Sequence, residues 1–220
     1  SSGTTLTNSN ASGTKLLTLS GGVSGSGNLV LNNSSSSIAN GITLSTASVD
    51  NTGTITNSGT GTGATLISGG VGLHVTEIIE NSSSSALNIT TTAITVASGG
   101  TTLTDTLGTL TVSGGVTGTG NLVLKNNTSV DNNLTLSTTS VDNTGTITNS
   151  GSGAGATLIS GAIGSHVTNV TENSSTSALV LSSASNAYTG TTVITAGTLK
   201  LGAAGVIPDG SAVTITGTLD

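Results

Sequence analysis

Cysteine is absent from this 220-residue chain, so neither a disulfide framework nor a thiolate metal site can hold it together. Trp, Phe and Met are missing too, and Tyr188 is the single aromatic residue. A core restricted to Leu, Ile, Val and Ala fills a narrow interior but not a wide one, which points to a slim cylinder. Arginine is also absent, and Lys15, Lys125 and Lys200 lie far apart in sequence. No basic surface for phosphates can be built from them, so nucleic acid is not an expected partner. Charged residues make up 5% of the chain and the formal net charge is −6. No apolar run approaches the ~18 residues of a membrane span, and Ser1 does not begin a signal peptide. The expectation is a mature or excised piece whose leader or anchor, if any, lies outside these residues.

What is present is a repeat. VDNTGTITNSG at 49–59 returns unchanged at 141–151, a shift of 92 residues. GNLVL at 27–31 returns at 120–124, GATLISG at 63–69 returns at 155–161, and His74, Glu80 and Asn81 return as His166, Glu172 and Asn173. One long unit is duplicated, approximately 19–110 and 111–202, within a single domain spanning 1–220.

Within each copy, short segments of alternating apolar and polar residues recur every dozen or so positions: LLTLS (16–20), NLVLN (28–32), ITLS (42–45), TIT (54–56), ATLIS (64–68), LHVTEII (73–79), ALNIT (86–90), AITVA (93–97), TTLTD (101–105) and TLTV (109–112). Each reads as a strand. In NLVLN the alternation turns Leu29 and Leu31 to one side and Val30 to the other, and in TIT only Ile55 faces inward. Gly, Asn, Ser and Asp clusters separate them and supply turns, while no segment carries a 3.6-residue period. The predicted fold is all-β, a right-handed parallel β-helix of about nine or ten coils with essentially no α-helix. The serine tracts Ser34–Ser37 and Ser82–Ser85 read as loops bulging from the coil.

From 178 to 216 the chain reads ALVLSSASNAYTGTTVITAGTLKLGAAGVIPDGSAVTIT. Asn186, Tyr188, Thr189, Gly190, Thr191 and Thr192, followed by Ala196, Gly197, Thr198, Leu199, Leu201 and Gly202, resemble the autotransporter-associated β-strand repeat of bacterial passenger domains. The first copy keeps only TTAITVASGGTT at 91–102, without the tyrosine. The resemblance implies a secreted β-helix whose repeats hold up a stalk, and it implies no activity.

Candidate chemistry is sparse. His74/Glu80 and His166/Glu172 stand six residues apart, too few ligands for a closed zinc site, and read as a solvated strand edge. Glu77 has no counterpart, since Asn169 occupies its place. Asp50 and Asp142 read as turn residues capping their own backbone, not as the carboxylates of a lateral catalytic cleft. GGVSGSGNL and GGVTGTGNL resemble a calcium nonapeptide but carry Asn28 and Asn121 where that motif needs Asp. SGTK at 12–15 and the Asn-x-Ser/Thr triplets at Asn32, Asn81 and Asn127 read as chance in a chain this rich in serine and threonine. Thr54/Thr56, Thr102/Thr104, Thr109/Thr111, Thr146/Thr148 and Thr214/Thr216 each flank an inward aliphatic residue, so a threonine face of the ice-binding kind is a further reading, interrupted by coils carrying NLVLN or HVTEI.

No catalytic, cofactor or metal residue is expected. The expected role is a non-enzymatic, secreted or cell-surface structural solenoid: a fibre subunit, stalk or adhesin. Its expected partners are further copies of itself stacked on the terminal coils, or a longer rod, with carbohydrate or a host surface as a further partner. A polysaccharide-binding or polysaccharide-cleaving β-helix is the alternative.

Overall fold

A computed structural model describes residues 3–10, 15–34, 38–137 and 140–220. The chain winds into a parallel β-solenoid of about 9 turns, with no helix among the described residues. Two long sheets run its whole length. The first carries, in stacking order, Thr4–Asn8, Leu29–Asn33, Val49–Asn57, Val75–Glu80, Thr101–Asp105, Leu122–Asn126, Gly145–Asn149, Val167–Asn173, Thr192–Ala196 and Val213–Ile215. The second carries the shorter strands Leu17–Leu19, Ile42–Leu44, Thr65–Ile67, Leu87–Ile89, Leu110–Val112, Leu134–Leu136, Thr157–Ile159, Leu179–Leu181, Thr198–Leu201 and Thr218–Leu219.

A third face is thinner. Val23–Ser26 pairs with the first half of Val49–Asn57, Ile94–Val96 pairs with Val116–Gly118, and single bridges at Val49/Val71, Val71/Ile94, Val116/Val141 and Val141/Ile163 complete it. With ten strands at ~4.8 Å per step, the rod is about 43 Å long.

Every strand pair is parallel, so like residues stack. On the first sheet Leu29 pairs with Ile55, Ile55 with Ile78, Ile78 with Leu103 and Leu103 with Leu124. On the second, Leu44, Ile67, Ile89, Val112, Leu136, Ile159 and Leu181 form one column. All of these are at most 1% exposed. Aliphatic side chains from three faces meet on one axis, which is why a core without Trp, Phe or Met closes. Tyr188, also 1% exposed, joins the same cluster, and its hydroxyl bonds the Thr192 hydroxyl at 2.7 Å.

Most strands fall where the alternation predicts, with Leu29, Leu31 and Ile55 inward and Val30 outward, whereas Val23–Ser26 and Val116–Gly118 form in glycine-rich stretches expected to be turns. The strand Val49–Asn57 is longer than TIT because its first half belongs to the third face and its second half to the first sheet. A register shift at Gly53/Thr54, matched at Gly145/Thr146, marks that corner. The serine tract at 82–85 is not a free bulge. Ser82 and Ser85 are 2% and 0% exposed and are kept as Ser174 and Ser177, so only the middle of the tract varies. Of the first tract, residues 35–37 lie outside the described residues.

Candidate functional site

The first sheet ends on an inward polar column. Asn57 pairs with Glu80, Glu80 with Asp105 and Asp105 with Asn126. In the second copy Asn149 pairs with Glu172, and the polar run stops there because Glu172 meets Ile194. The shifted register explains the break between runs: Leu31 pairs with Asn57 and Leu124 with Asn149, so the column steps back by two residues at each NLVLN strand.

Burying such groups costs several kcal/mol each unless they are hydrogen-bonded, and the Asn–Glu pairs are, whereas Asp105 is not. Asn57 Nδ2 donates to Glu80 Oε2 at 2.7 Å and to Ser85 O at 2.5 Å, while its Oδ1 accepts from Thr65 Oγ1 at 2.9 Å. The Ser82 amide donates to Glu80 Oε1 at 2.6 Å, and Ser82 Oγ donates to Gly59 O and accepts from the Ser85 amide. The second copy repeats this through Asn149, Glu172, Ser177, Thr157 and Ser174, at 2.8, 2.6, 3.0 and 2.7 Å for the corresponding bonds. Each network ties a turn to the coil before it.

Glu80 and Glu172 are therefore interior residues, 0% and 1% exposed, and not a solvated strand edge. Burial raises the Glu80 carboxyl to about 8, tempered by Asn57 and the Ser82 amide and reinforced by the charge of Asp105. Glu172 rises for the same burial to about 7, tempered by Asn149 and the Ser174 amide. Burial lifts Asp105 to about 6, although the amides of Gly108 and Leu107 favour its anion.

The histidines belong elsewhere. His74 and His166 sit in the turns before their strands, so the six-residue spacing to Glu80 and Glu172 brings nothing together. Each instead meets an aspartate one coil away. Asp50 Oδ1 accepts the His74 amide at 2.9 Å and its Oδ2 bonds the imidazole Nδ1 at 2.9 Å. Asp142 and His166 repeat this at 3.0 and 2.8 Å. Asp50 and Asp142 thus cap the next coil, not their own backbone. Gly72 and Gly164 make room, since a Cβ at either would overlap the carboxylate. Partial burial works to raise each carboxyl, but its bonds to the histidine prevail and hold it below the ordinary 3.8. The imidazoles are 55% and 65% exposed, and among the described residues no second acid forms an ion pair with either. Among the described residues no three His, Asp or Glu side chains form a metal-sized group.

Apart from Asn32, whose bond to Ser34 is local, the remaining candidates are also coil-to-coil links. Asn28 Oδ1 accepts the Thr54 amide at 3.1 Å and Asn121 Oδ1 the Thr146 amide at 2.9 Å. Asn32 accepts from Ser34 Oγ, Asn81 from Thr106 Oγ1 and Asn127 from the Ser152 amide. Glu77 accepts from Thr104 Oγ1 at 2.7 Å, and Asn169 accepts from the Thr191 amide. Of SGTK, residues 12–14 lie outside the described residues.

The threonine face is broken. One outward column of the first sheet reads Thr54, Glu77, Thr102, Val123, Thr148, Thr171, Val193, Thr214, and its neighbour reads Thr56, Ile79, Thr104, Lys125. Thr111 lies on the second sheet, between Asn88 and Thr135.

A shallow depression of about 440 Å³ opens at the corner between the third face and the first sheet, lined by Thr76, Gly99, Gly100, Thr102, Asn121 and Val123 among others. None of its lining residues is an acid. No protein-family model, curated protein or solved structure matches the chain.

Proposed function

We propose that this chain is a non-enzymatic, secreted structural β-solenoid that serves as a fibre subunit, stalk or adhesive surface element. One observation carries the proposal: both histidines and most of the acids, among them Asp50, Glu77, Glu80, Asp142 and Glu172, are spent joining one coil to the next. Glu80 and Glu172 are sealed inside such links, and Asp50–His74 and Asp142–His166 are links on the exterior. The Ser, Thr, Asn and Gly exterior with few charges supports an extracellular or cell-surface setting. The segment from Asn186 to Gly202 supports kinship with autotransporter-associated repeats. Its Tyr188, Thr192 and Gly190 join through Ser211 in one hydrogen-bonded chain that fixes the C-terminal coils.

Self-association through terminal coils is part of the proposal. Val213, Ile215 and Leu219 stack on Thr192, Ile194 and Leu199 and are 40%, 48% and 38% exposed, an edge that a second copy or further coils of a longer rod would cover. In a second copy Thr4–Asn8 and Leu17–Leu19 are the first strands of the same two sheets and could continue them in parallel. Negative-stain microscopy over a rising concentration series is expected to give rods that lengthen in steps of about 48 Å, ten strand spacings per added copy. Rods of one fixed length at every concentration would remove the stacking part.

The depression lined by threonine, glycine and asparagine favours a second reading, a polysaccharide-binding solenoid. A glycan array with no retained sugar would eliminate it. Ice binding ranks below both, because Glu77/Ile79 and Val123/Lys125 interrupt the threonine columns, and unchanged ice-crystal habit would end it.

A further inference from the structure

Glu80 and Asp105 are Cα partners on successive coils, both are completely buried, and they point into the same corner. Both Glu80 oxygens already accept hydrogen bonds, from Asn57 Nδ2 and the Ser82 amide. Neither Asp105 oxygen meets a donor in hydrogen-bond geometry, the Gly108 and Leu107 amides being near enough only to temper the effect of burial.

No cation reaches this corner among the described residues. The strand Thr101–Asp105 lies between Val75–Glu80 and Leu122–Asn126, whose other charged groups, Glu77 and Lys125, alternate to the exterior. The preceding strand Val49–Asn57 offers Asn57 inward, and its Asp50 is held by His74 at the far end. Across the core, Leu87–Ile89 and Leu110–Val112 carry no titratable group. Asp131, in the turn of the following coil, is tied to the Ala156 amide. Two carboxylates side by side in a dry corner repel each other, so a bound proton is the neutralising charge the surroundings leave open.

We propose that Glu80 and Asp105 form a proton-held latch between adjacent coils of the first copy, closed while the pair keeps a proton and loosened when alkaline solution removes it. The second copy lacks the second acid, since Glu172 meets Ile194, and it responds less.

Hydrogen exchange followed by mass spectrometry between pH 6 and pH 9, corrected for intrinsic exchange, tests this on the whole chain. Peptides covering 77–112 should gain on those covering 169–204 by about tenfold or more, the equivalent of one unit of proton affinity. Asp105→Asn, which places a second Asn beside Asn126 in the column, should fold, lose that excess and leave the second copy unchanged. An infrared carboxylic-acid stretch present at neutral pH in the native chain should weaken in Glu80→Gln. Equal responses in the two copies, or an excess that survives Asp105→Asn, would overturn the latch. So would protection of the corner by calcium chloride that chelator reverses, which would make the link a cation bridge.

Discussion

The two copies share sequence almost letter for letter around VDNTGTITNSG, yet their inward polar columns differ in length. The first runs Asn57, Glu80, Asp105 and closes on Asn126 in the first long strand of the second copy, whereas the second runs Asn149, Glu172 and then meets Ile194. Around the shared members the bonds repeat closely: 2.7 against 2.8 Å from Asn to Glu, and 2.5 against 2.6 Å from Asn to the serine carbonyl. A solenoid therefore tolerates a change in one coil so long as that coil satisfies its own neighbours. The duplicated part is the Asn–Glu–Ser clamp, and Asp105 has no counterpart acid at the paired position of the second copy, where Glu172 meets Ile194.

The largest effect expected from breaking that parallel is in the shared core. Ile55→Ala and Ile147→Ala should each cost about 2–5 kcal/mol in chemical denaturation followed by circular dichroism. The two losses should agree within about 1 kcal/mol, since both residues are 0% exposed; strongly unequal losses would mean that the copies are not packed alike.

Next comes pH. Glu80 and Glu172 hold their protons more tightly folded than unfolded, where the ordinary value is 4.5. Their contribution is thus complete below about pH 4.5 and is lost as pH rises through about 7 for Glu172 and about 8 for Glu80. Thermal stability should fall by a few kcal/mol between pH 5 and pH 9. Glu80→Gln should flatten that slope more than Glu172→Gln, and a native chain that gains stability over this range contradicts the assignment.

Removing the clamp's amide sharpens the comparison further. Asn57→Ala and Asn149→Ala each strand a buried carboxyl and should cost about 1–3 kcal/mol. The loss at Asn57 should grow faster with pH than the loss at Asn149, because only Glu80 has an acid neighbour; parallel losses at every pH would speak against the difference. The smallest effect belongs to the exposed links. His74→Ala and His166→Ala should change stability by under about 1 kcal/mol, because such surface pairs are partly screened, and a larger loss would show that these corners carry more of the fold than their exposure suggests.

Most of the solenoid was legible in the letters, because alternation with Leu, Ile and Val places residues such as Leu29, Leu31 and Ile55 without further information. The polar column was not. Ser82 and Ser85 look like loop residues in sequence and Glu80 like a solvated strand edge, and only coil stacking shows that the Asn57 side chain meets a carboxylate and a backbone carbonyl 23 and 28 positions away. The His74–Asp50 link was hidden for the same reason, since its 24-residue separation depends on the length of the intervening coil. One signal was available: Glu80 and Ser85 both reappear after the duplication, as Glu172 and Ser177, which a freely varying loop would not require.

Tyr188 gives the molecule a built-in lamp. Because no Trp or Phe shares the chain, all near-ultraviolet emission comes from one phenol ring in the second half, packed beneath Thr192 and Ser211. Unlabelled protein can thus report the melting of its C-terminal coils separately from far-ultraviolet signals that average over the whole rod, so fraying from one end would be seen directly as two transitions that fail to coincide.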